Sequence, residues 1–238
     1  MTNQKEPKYS QQDIKKVADF YDAFLASEPG KWSPLEEFRV RYEPVISFLQ
    51  KISKDNTTIL DVGCGTGMAA EKLRSFGYVY GIDISPRSIM EAKSRLDEVC
   101  VSLGEELPFK DEVFDIVTCT ETIEHLLNLI KGLDEFNRVL KPGGYLVIST
   151  PNPWSYYAIL NRAIAILRRQ KAGTGQIVEN FISPIKLKDM LKKKGFEIEE
   201  FKTVFFKPAF VWKVIRRASN SLGLYQIYIA RKLEETHG

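Results

Sequence analysis

A glycine-rich turn directly after a short apolar segment constrains the fold of this chain more than any other feature. Residues 57–62 are β-rich and apolar, and Gly63, Gly65 and Gly67 follow them. Glycine lets the backbone approach a ligand closely, and the N–H groups at the start of a following helix are free to bind that ligand. We expect this helix to run through about Phe76. The turn therefore predicts a cofactor site at the end of a first strand.

Later segments repeat the order of strand and then helix. The further predicted strands are residues 78–84, 99–103, 114–119, 145–150, 196–204 and 224–230. Most are apolar on both faces, which is typical of a parallel sheet covered by helices on both sides. The last two suggest an antiparallel edge, so we predict a doubly wound α/β fold with a mostly parallel, seven-stranded sheet. In such sheets ligands bind outside the carboxyl ends of the strands.

The chain is long enough for one large domain, and we predict a single domain over residues 1–238. Its predicted parts are an N-terminal helical cap (1–56), a cofactor-binding core (57–150), a lid insertion (151–183) and a C-terminal helix with edge strands (184–238). The cap reads as two helices separated by a break at Pro29 and Gly30.

Charge and sorting signals exclude several function classes. The 34 Lys and Arg residues nearly balance the 31 Asp and Glu residues, and a net charge of +3 is too small for a dedicated nucleic-acid binder. The polar N-terminus does not resemble a secretory signal, and no apolar run approaches the roughly 18 residues of a membrane span. We expect a cytoplasmic protein with reduced cysteines and a small-molecule substrate. The sequence does not predict an oligomeric state.

Two acidic residues distinguish between possible cofactors. The dinucleotide fingerprint would place its last glycine where Met68 stands, which disfavours NAD. Asp61, before the turn, suits a cofactor with a cationic amino-acid end, and Asp83, at the end of the second strand, can accept hydrogen bonds from both ribose hydroxyls. Alternatively, Asp83 only complements the N-terminus of the next helix.

Four ordered motifs resemble those of class I S-adenosylmethionine-dependent methyltransferases. Residues 59–67 resemble the first motif, 81–85 the second, 105–109 the segment that lines adenine, and 114–117 with 140–144 the fourth and fifth strands. One departure is Leu103, where many relatives carry Asp. The resemblance implies S-adenosylmethionine as the cofactor. It also implies a set of cofactor-binding residues: Asp61, Gly63, Gly65, Gly67, Asp83, Ile84, Glu105 and Thr120.

An acidic segment after the fourth strand is the second candidate site. If a helix begins near Thr120, then Glu121, Glu124 and His125 lie on one face towards the cofactor cleft. This pattern resembles the O-methyltransferases of ubiquinone biosynthesis, which implies catalysis by His125 and Glu124 and a Mg²⁺ ion held by Glu121, Glu124 and His125. Alternatively, the acids complement a helix N-terminus and the histidine packs against, or gates, the cofactor. The resemblance also suggests that Arg39 or Arg41 contacts the cofactor's carboxylate.

Two segments combine apolar and aromatic residues with cations, residues 154–171 and 205–217. Such segments can contact a membrane surface or cover an apolar substrate, although an ordinary lid helix has the same pattern. The predicted reaction is O-methylation of a phenolic, catechol or quinol-type small molecule, with a lipid tail as one option. The alternatives are N- or C-methylation of another metabolite, and a non-catalytic adaptor that binds S-adenosylmethionine at a membrane or partner surface.

Overall fold

The structure is a computed structural model that describes residues 10–27, 35–167, 180–204 and 223–234. The strands are β1 (Thr58–Val62), β2 (Tyr78–Asp83), β3 (Glu98–Val101), β4 (Phe114–Thr120), β5 (Leu140–Pro151), β6 (Phe196–Val204) and β7 (Tyr225–Lys232). The α-helices are α1 (Gln11–Ser27), α2 (Leu35–Ile52), α3 (Pro86–Ala92), α4 (Leu129–Val139), α5 (Tyr156–Leu167) and α6 (Pro184–Lys193).

The seven strands form one sheet in the order β3-β2-β1-β4-β5-β7-β6. Strands β1 to β5 pair in parallel, whereas β7 pairs antiparallel with both β5 and β6. Successive residues of β1 enter different cores, because side chains alternate across a strand: Ile59 packs in the cluster that contains Leu49 of α2, and Leu60 in the cluster that contains Phe136 of α4. The predicted fold class is confirmed.

The strand order reverses at β1, which lies between β2 and β4. The chain runs outward from β1 to β2 and β3 and then returns to the other side of β1 as β4. The carboxyl ends of β1 and β4 therefore face one crevice, the place where sheets of this kind bind ligands. The glycine turn follows β1 and the acidic segment follows β4, so the topology brings the two predicted sites together.

Two local predictions were wrong. The helix expected from the glycine turn to Phe76 is a short 3₁₀ helix over Ala70–Ser75. The positive φ of Gly63, Gly65 and Gly67 keeps the chain out of helical conformation until after Gly67. The expected turn at residues 141–144 lies inside β5. There the register between β4 and β5 shifts between Phe114 and Ile116, and Gly143 takes a φ of +73°.

Helix ends agree better with the sequence. Ser85 caps α3 and Ser183 caps α6, and each accepts a hydrogen bond from the N–H three residues later. Gly195, with a φ of +79°, follows the end of α6 as expected.

The domain bounds stay a prediction. The break at Pro29 and Gly30, and residues 205–217, lie outside the described residues.

Candidate active site

The glycine turn is held tightly against its neighbours. Gly63, Gly65 and Gly67 all have positive φ, a conformation that side chains disfavour. The N–H of Gly63 donates to the carbonyl of Ile82 at 2.8 Å, which ties the turn to β2. A Cβ added at Gly63 would lie 2.2 Å from Oγ1 of Thr122, so the turn also packs against the segment after β4. Glycine is required at this position on both counts.

Asp83 lies between the turn and α3. Its Oδ2 accepts a hydrogen bond from the N–H of Gly65 at 2.9 Å, and its Oδ1 accepts one from the N–H of Ser85 at 2.8 Å. Burial raises the pKa of the Asp83 carboxyl, and the backbone hydrogen bonds act in the opposite direction. Each carboxylate oxygen can accept more than one hydrogen bond. Asp83 also lines a cavity between the glycine turn, α1, α2 and the segment after β4, so its remaining acceptor capacity is available to a ligand there.

Asp61 lies behind the turn. It is almost fully buried, and its Oδ1 accepts a hydrogen bond from Oγ1 of Thr118 at 2.6 Å. Burial, with a smaller contribution from the negative charge of Asp83, raises the pKa of the Asp61 carboxyl to about 7. The residues that line the cavity do not include Asp61 or Gly67. Contact of Asp61 with the cofactor therefore stays a prediction.

A second part of the cavity wall follows β2 and β3. Ile84, Leu103, Gly104 and Glu105 all line the cavity. Glu105 is buried, and its Oε1 accepts a hydrogen bond from the N–H of Asn128, at the start of α4, at 3.0 Å. Burial raises the pKa of the Glu105 carboxyl. The carboxylate thus fixes the loop that carries it to α4.

The segment after β4 differs from the predicted helix. Strand β4 continues to Thr120, Glu121 adopts a φ of +52°, and only Ile123–His125 forms a single turn of 3₁₀ helix. The N–H of Glu121 donates to the carbonyl of Ser149 at 2.9 Å, which extends the contact with β5. The i, i+3, i+4 arrangement that we predicted is therefore wrong.

Glu121 turns towards α2 and β5. Oγ of Ser149 donates to its Oε1 at 2.8 Å, and Nη1 of Arg41 lies 3.5 Å from its Oε2. Burial, followed by the negative charge of Glu124, raises the pKa of the Glu121 carboxyl to about 8, and Arg41 lowers it. The guanidinium of Arg41 also lies over the ring of Tyr225, 5.0 Å from its centre. Both Arg41 and Glu121 line the cavity.

Glu124 and His125 form a pair with only one member on the cavity wall. His125 lines the cavity, whereas Glu124 is buried behind it. Oε1 of Glu124 lies 3.7 Å from Nε2 of His125, and its Oε2 accepts a hydrogen bond from Oγ1 of Thr150 at 2.9 Å. The carboxylate is thus anchored to β5 on one side and faces the imidazole on the other.

Comparison with known proteins identifies the family. A family model described as "Methyltransferase domain" matches residues 60–148. The ubiquinone biosynthesis O-methyltransferase of Thiobacillus denitrificans is 32% identical over 193 residues, which cover 74% of this chain and 82% of that protein. The chain belongs to the class I S-adenosylmethionine-dependent methyltransferases.

Two further comparisons give a relative of similar length and a solved structure of the same fold. An uncharacterized protein of Methanocaldococcus jannaschii is 30% identical over 200 residues, 82% of this methyltransferase and 81% of the relative. A solved structure from Thermotoga maritima, described as a possible histamine N-methyltransferase, superposes with a TM-score of 0.65 at 23% identity, over 90% of this chain and 99% of that one. The prediction of an enzyme that takes a methyl group from S-adenosylmethionine is confirmed.

The structure does not support the magnesium site predicted for this methyltransferase at Glu121, Glu124 and His125. Within residues 10–27, 35–167, 180–204 and 223–234, no group of three or more His, Cys, Asp or Glu side chains is arranged to hold a metal ion. The physical reason is the positive φ of Glu121, which turns its carboxylate towards partners other than Glu124 and His125. Arg41 and Ser149 engage the Glu121 carboxylate, and Thr150 and the imidazole flank that of Glu124.

Some residues of the cavity were missed in the sequence. Val17 and Tyr21 of α1 line it, and the ring of Tyr21 lies 6.0 Å from the ring of His125, centre to centre, in an edge arrangement. Tyr42 of α2 also lines it, and its hydroxyl is hydrogen-bonded to Oγ1 of Thr120. The helical spacing of Val17 and Tyr21 is visible in the sequence. No sequence feature shows where their helix packs.

Proposed function

We propose that this methyltransferase methylates an oxygen of a phenolic, catechol or quinol-type small molecule. The observation that carries the proposal is the position of His125 on the cavity wall, with the Glu124 carboxylate 3.7 Å behind its Nε2. A phenol with a pKa of about 10 is a poor nucleophile at neutral pH, so a base at the cavity matches the needs of such an acceptor. The relative from Thiobacillus denitrificans, named for O-methylation, supports the same reaction.

The proposed cofactor position follows the cavity wall. The ribose hydroxyls donate to Asp83, whose carboxylate already accepts the N–H groups of Gly65 and Ser85. The adenine lies between Ile84 and Glu105. The amino-acid end lies at the glycine turn near Thr120, with the Asp61 carboxyl behind it. A carboxylate suits the cationic end of this cofactor, whereas it would repel the pyrophosphate of NAD.

The proposed reaction is an in-line transfer. The imidazole of His125 takes the proton of the acceptor hydroxyl, and the oxygen lone pair forms a bond to the methyl carbon as the C–S bond breaks towards sulfur. The products are a methyl ether, S-adenosylhomocysteine and protonated His125, whose positive charge faces the Glu124 carboxylate. Most of the rate comes from orientation of the two substrates, which contributes roughly 7–11 kcal/mol in well-aligned reactions. No step passes through a metal ion, since the donors do not fit one.

The position of the transferred methyl group tests the proposal. Purified enzyme, S-adenosylmethionine and a panel of catechols, hydroquinols, amines and activated-carbon acceptors are incubated, and products are located by mass spectrometry and NMR. We expect methyl ethers of catechols or hydroquinols at steady-state rates. Methylation confined to nitrogen or carbon would contradict the proposal and favour the alternative that the description of the Thermotoga maritima structure suggests for that protein.

We further propose that an apolar surface around α5 contacts a lipid surface or the tail of the acceptor. Trp154, just before α5, and Tyr157, Ile159 and Leu160 on α5 are all exposed, the last three by more than half, and Arg162 follows on the same helix. So many exposed apolar side chains at the start of one helix are costly in water and typical of interfacial helices. No helix within the described residues is long and apolar enough to span a membrane.

Leu160→Asp is expected to weaken binding to anionic phospholipid vesicles about tenfold, since it removes one buried leucine from the interface and adds a charge of the wrong sign. Sedimentation with vesicles of mixed zwitterionic and anionic lipid measures the binding. Ile130→Asp is the control, because Ile130 is similarly exposed but lies in the first turn of α4. Equal effects of both substitutions would contradict a role specific to α5.

A further inference from the structure

One face of helix α1 covers the crevice. Val17 and Tyr21, one helical turn apart, line the cavity, and Tyr21 packs against the ring of His125. The next residue, Asp22, points to the neighbouring rim, at the start of α3. Helix α1 thus reaches both the side of the cavity that carries His125 and the side that carries the ribose-binding Asp83. A cofactor in the proposed position therefore lies beneath α1.

Asp22 attaches α1 to the start of α3 through polar contacts. Its Oδ1 accepts a hydrogen bond from Oγ of Ser85 and a longer one, 3.3 Å, from the N–H of Arg87. Ser85 is fully buried, and its Oγ also accepts a hydrogen bond from the N–H of Ser88 at 3.0 Å. The contact therefore joins α1 to the residue that caps α3.

Ser85 connects this attachment to the ribose site. Its N–H donates to Oδ1 of Asp83 at 2.8 Å while its hydroxyl donates to Asp22. The two carboxylates are close enough for the charge of Asp22 to raise the pKa of Asp83. Asp83 and Asp22 therefore share Ser85 as a hydrogen-bond partner. Ribose hydroxyls that bind Asp83 would bind next to the contact that holds α1.

Between Gln11 and Ala23 the rest of the α1 packing buries few side chains. Of its side chains from Gln11 to Ala23, which the structure describes, Val17 alone is buried, and the others are half-buried or exposed. A helical segment that buries so little apolar surface can leave the core at small cost, because the free energy of local opening follows the contacts that are lost. One charge-assisted hydrogen bond is a large share of such a total.

We propose that Asp22 is a positioning residue that latches α1 over the bound cofactor, and that α1 must release Ser85 for the cofactor to enter or leave. The inference rests on the proposed cofactor site. Asp22 holds the lid through Ser85 and does not need to touch the cofactor. Loss of the latch shortens the residence of the cofactor and leaves the glycine turn and Asp83 intact.

Asp22→Asn is the test, with Asp19→Asn as the matched control. Asp19 lies on the same helix, is exposed and carries the same charge. We expect Asp22→Asn to raise the dissociation rate of S-adenosylhomocysteine about tenfold in stopped-flow displacement, the size expected for one hydrogen bond to a charged group. We expect the control to match the wild type. Hydrogen exchange of the α1 peptide should slow when S-adenosylhomocysteine binds the wild type, and this protection should be largely lost in Asp22→Asn.

A second variant checks that the effect passes through Ser85. Ser85→Ala should raise the dissociation rate at least as much, because it breaks the same contact with Asp22 and also removes the cap of α3. Adding Asp22→Asn to Ser85→Ala should change the rate little further, because the contact is already broken. Unchanged dissociation in Asp22→Asn would overturn the latch, and so would a lower melting temperature with wild-type dissociation and protection. Failure of the wild type to bind S-adenosylhomocysteine would instead overturn the cofactor site and the latch with it.

Discussion

Asp83→Ala is expected to weaken binding of S-adenosylhomocysteine by at least about 100-fold. The carboxylate accepts the N–H groups of Gly65 and Ser85 and, in the proposed complex, both ribose hydroxyls. A hydrogen bond to a charged group contributes roughly 1.5–3 kcal/mol, and 1.4 kcal/mol corresponds to a factor of ten in affinity. Alanine removes the ligand contacts and also leaves the turn without its acceptor. Isothermal titration calorimetry of the folded variant measures the loss.

Asp97→Ala is the control for this variant. Asp97 lies at the opposite end of β2, where its Oδ2 accepts the N–H of Val79 at 2.9 Å and its Oδ1 pairs with Arg74 at 2.8 Å. Its removal should lower the melting temperature through a comparable backbone contact and leave the affinity unchanged. If Asp83→Ala bound the ligand as tightly as Asp97→Ala, the ribose assignment would be wrong.

The sequence predicted the sheet and the place of the site for a physical reason. Strands such as β1 and β4 are buried on both faces, so their apolar runs are visible without any tertiary information. Glycines that need positive φ, and serines that cap helices, are equally local signals. The antiparallel pairing of β7 between β5 and β6 was expected only as an edge, and its order in the sheet came from the structure.

The errors arose where side-chain spacing was interpreted before the backbone was known. The E-x-x-E-H pattern implied three side chains on one helical face, but the positive φ of Glu121 sends its carboxylate to Arg41 and Ser149. Positive φ at a glutamate is uncommon, and no residue type in the segment signals it. The N-terminal cap was predicted to be helical, but the packing of Val17 and Tyr21 against the cavity depends on long-range contacts that a single sequence does not contain.

His125→Ala is expected to lower kcat at pH 7 by roughly 10²–10⁴-fold on a catechol acceptor, the usual contribution of a positioned general base. Affinity for S-adenosylhomocysteine should change little, because the proposed cofactor contacts lie at Asp83 and the glycine turn. Glu124→Gln keeps the shape of the buried side chain but removes the charge that faces the imidazole, so a smaller loss of kcat is expected. Steady-state rates together with calorimetry separate the two effects.

The pH dependence distinguishes a base from a packing residue. A phenolic acceptor ionises by itself as the pH approaches its pKa of about 10, and an ionised acceptor needs no base. The ratio of wild-type to His125→Ala activity should therefore fall as the pH rises from 7 to 9.5, and added imidazole should restore part of the activity at pH 7. A ratio that stays constant over this range, without rescue by imidazole, would mean that His125 orients the acceptor or cofactor and takes no proton. The ring contact with Tyr21 would then be its main role.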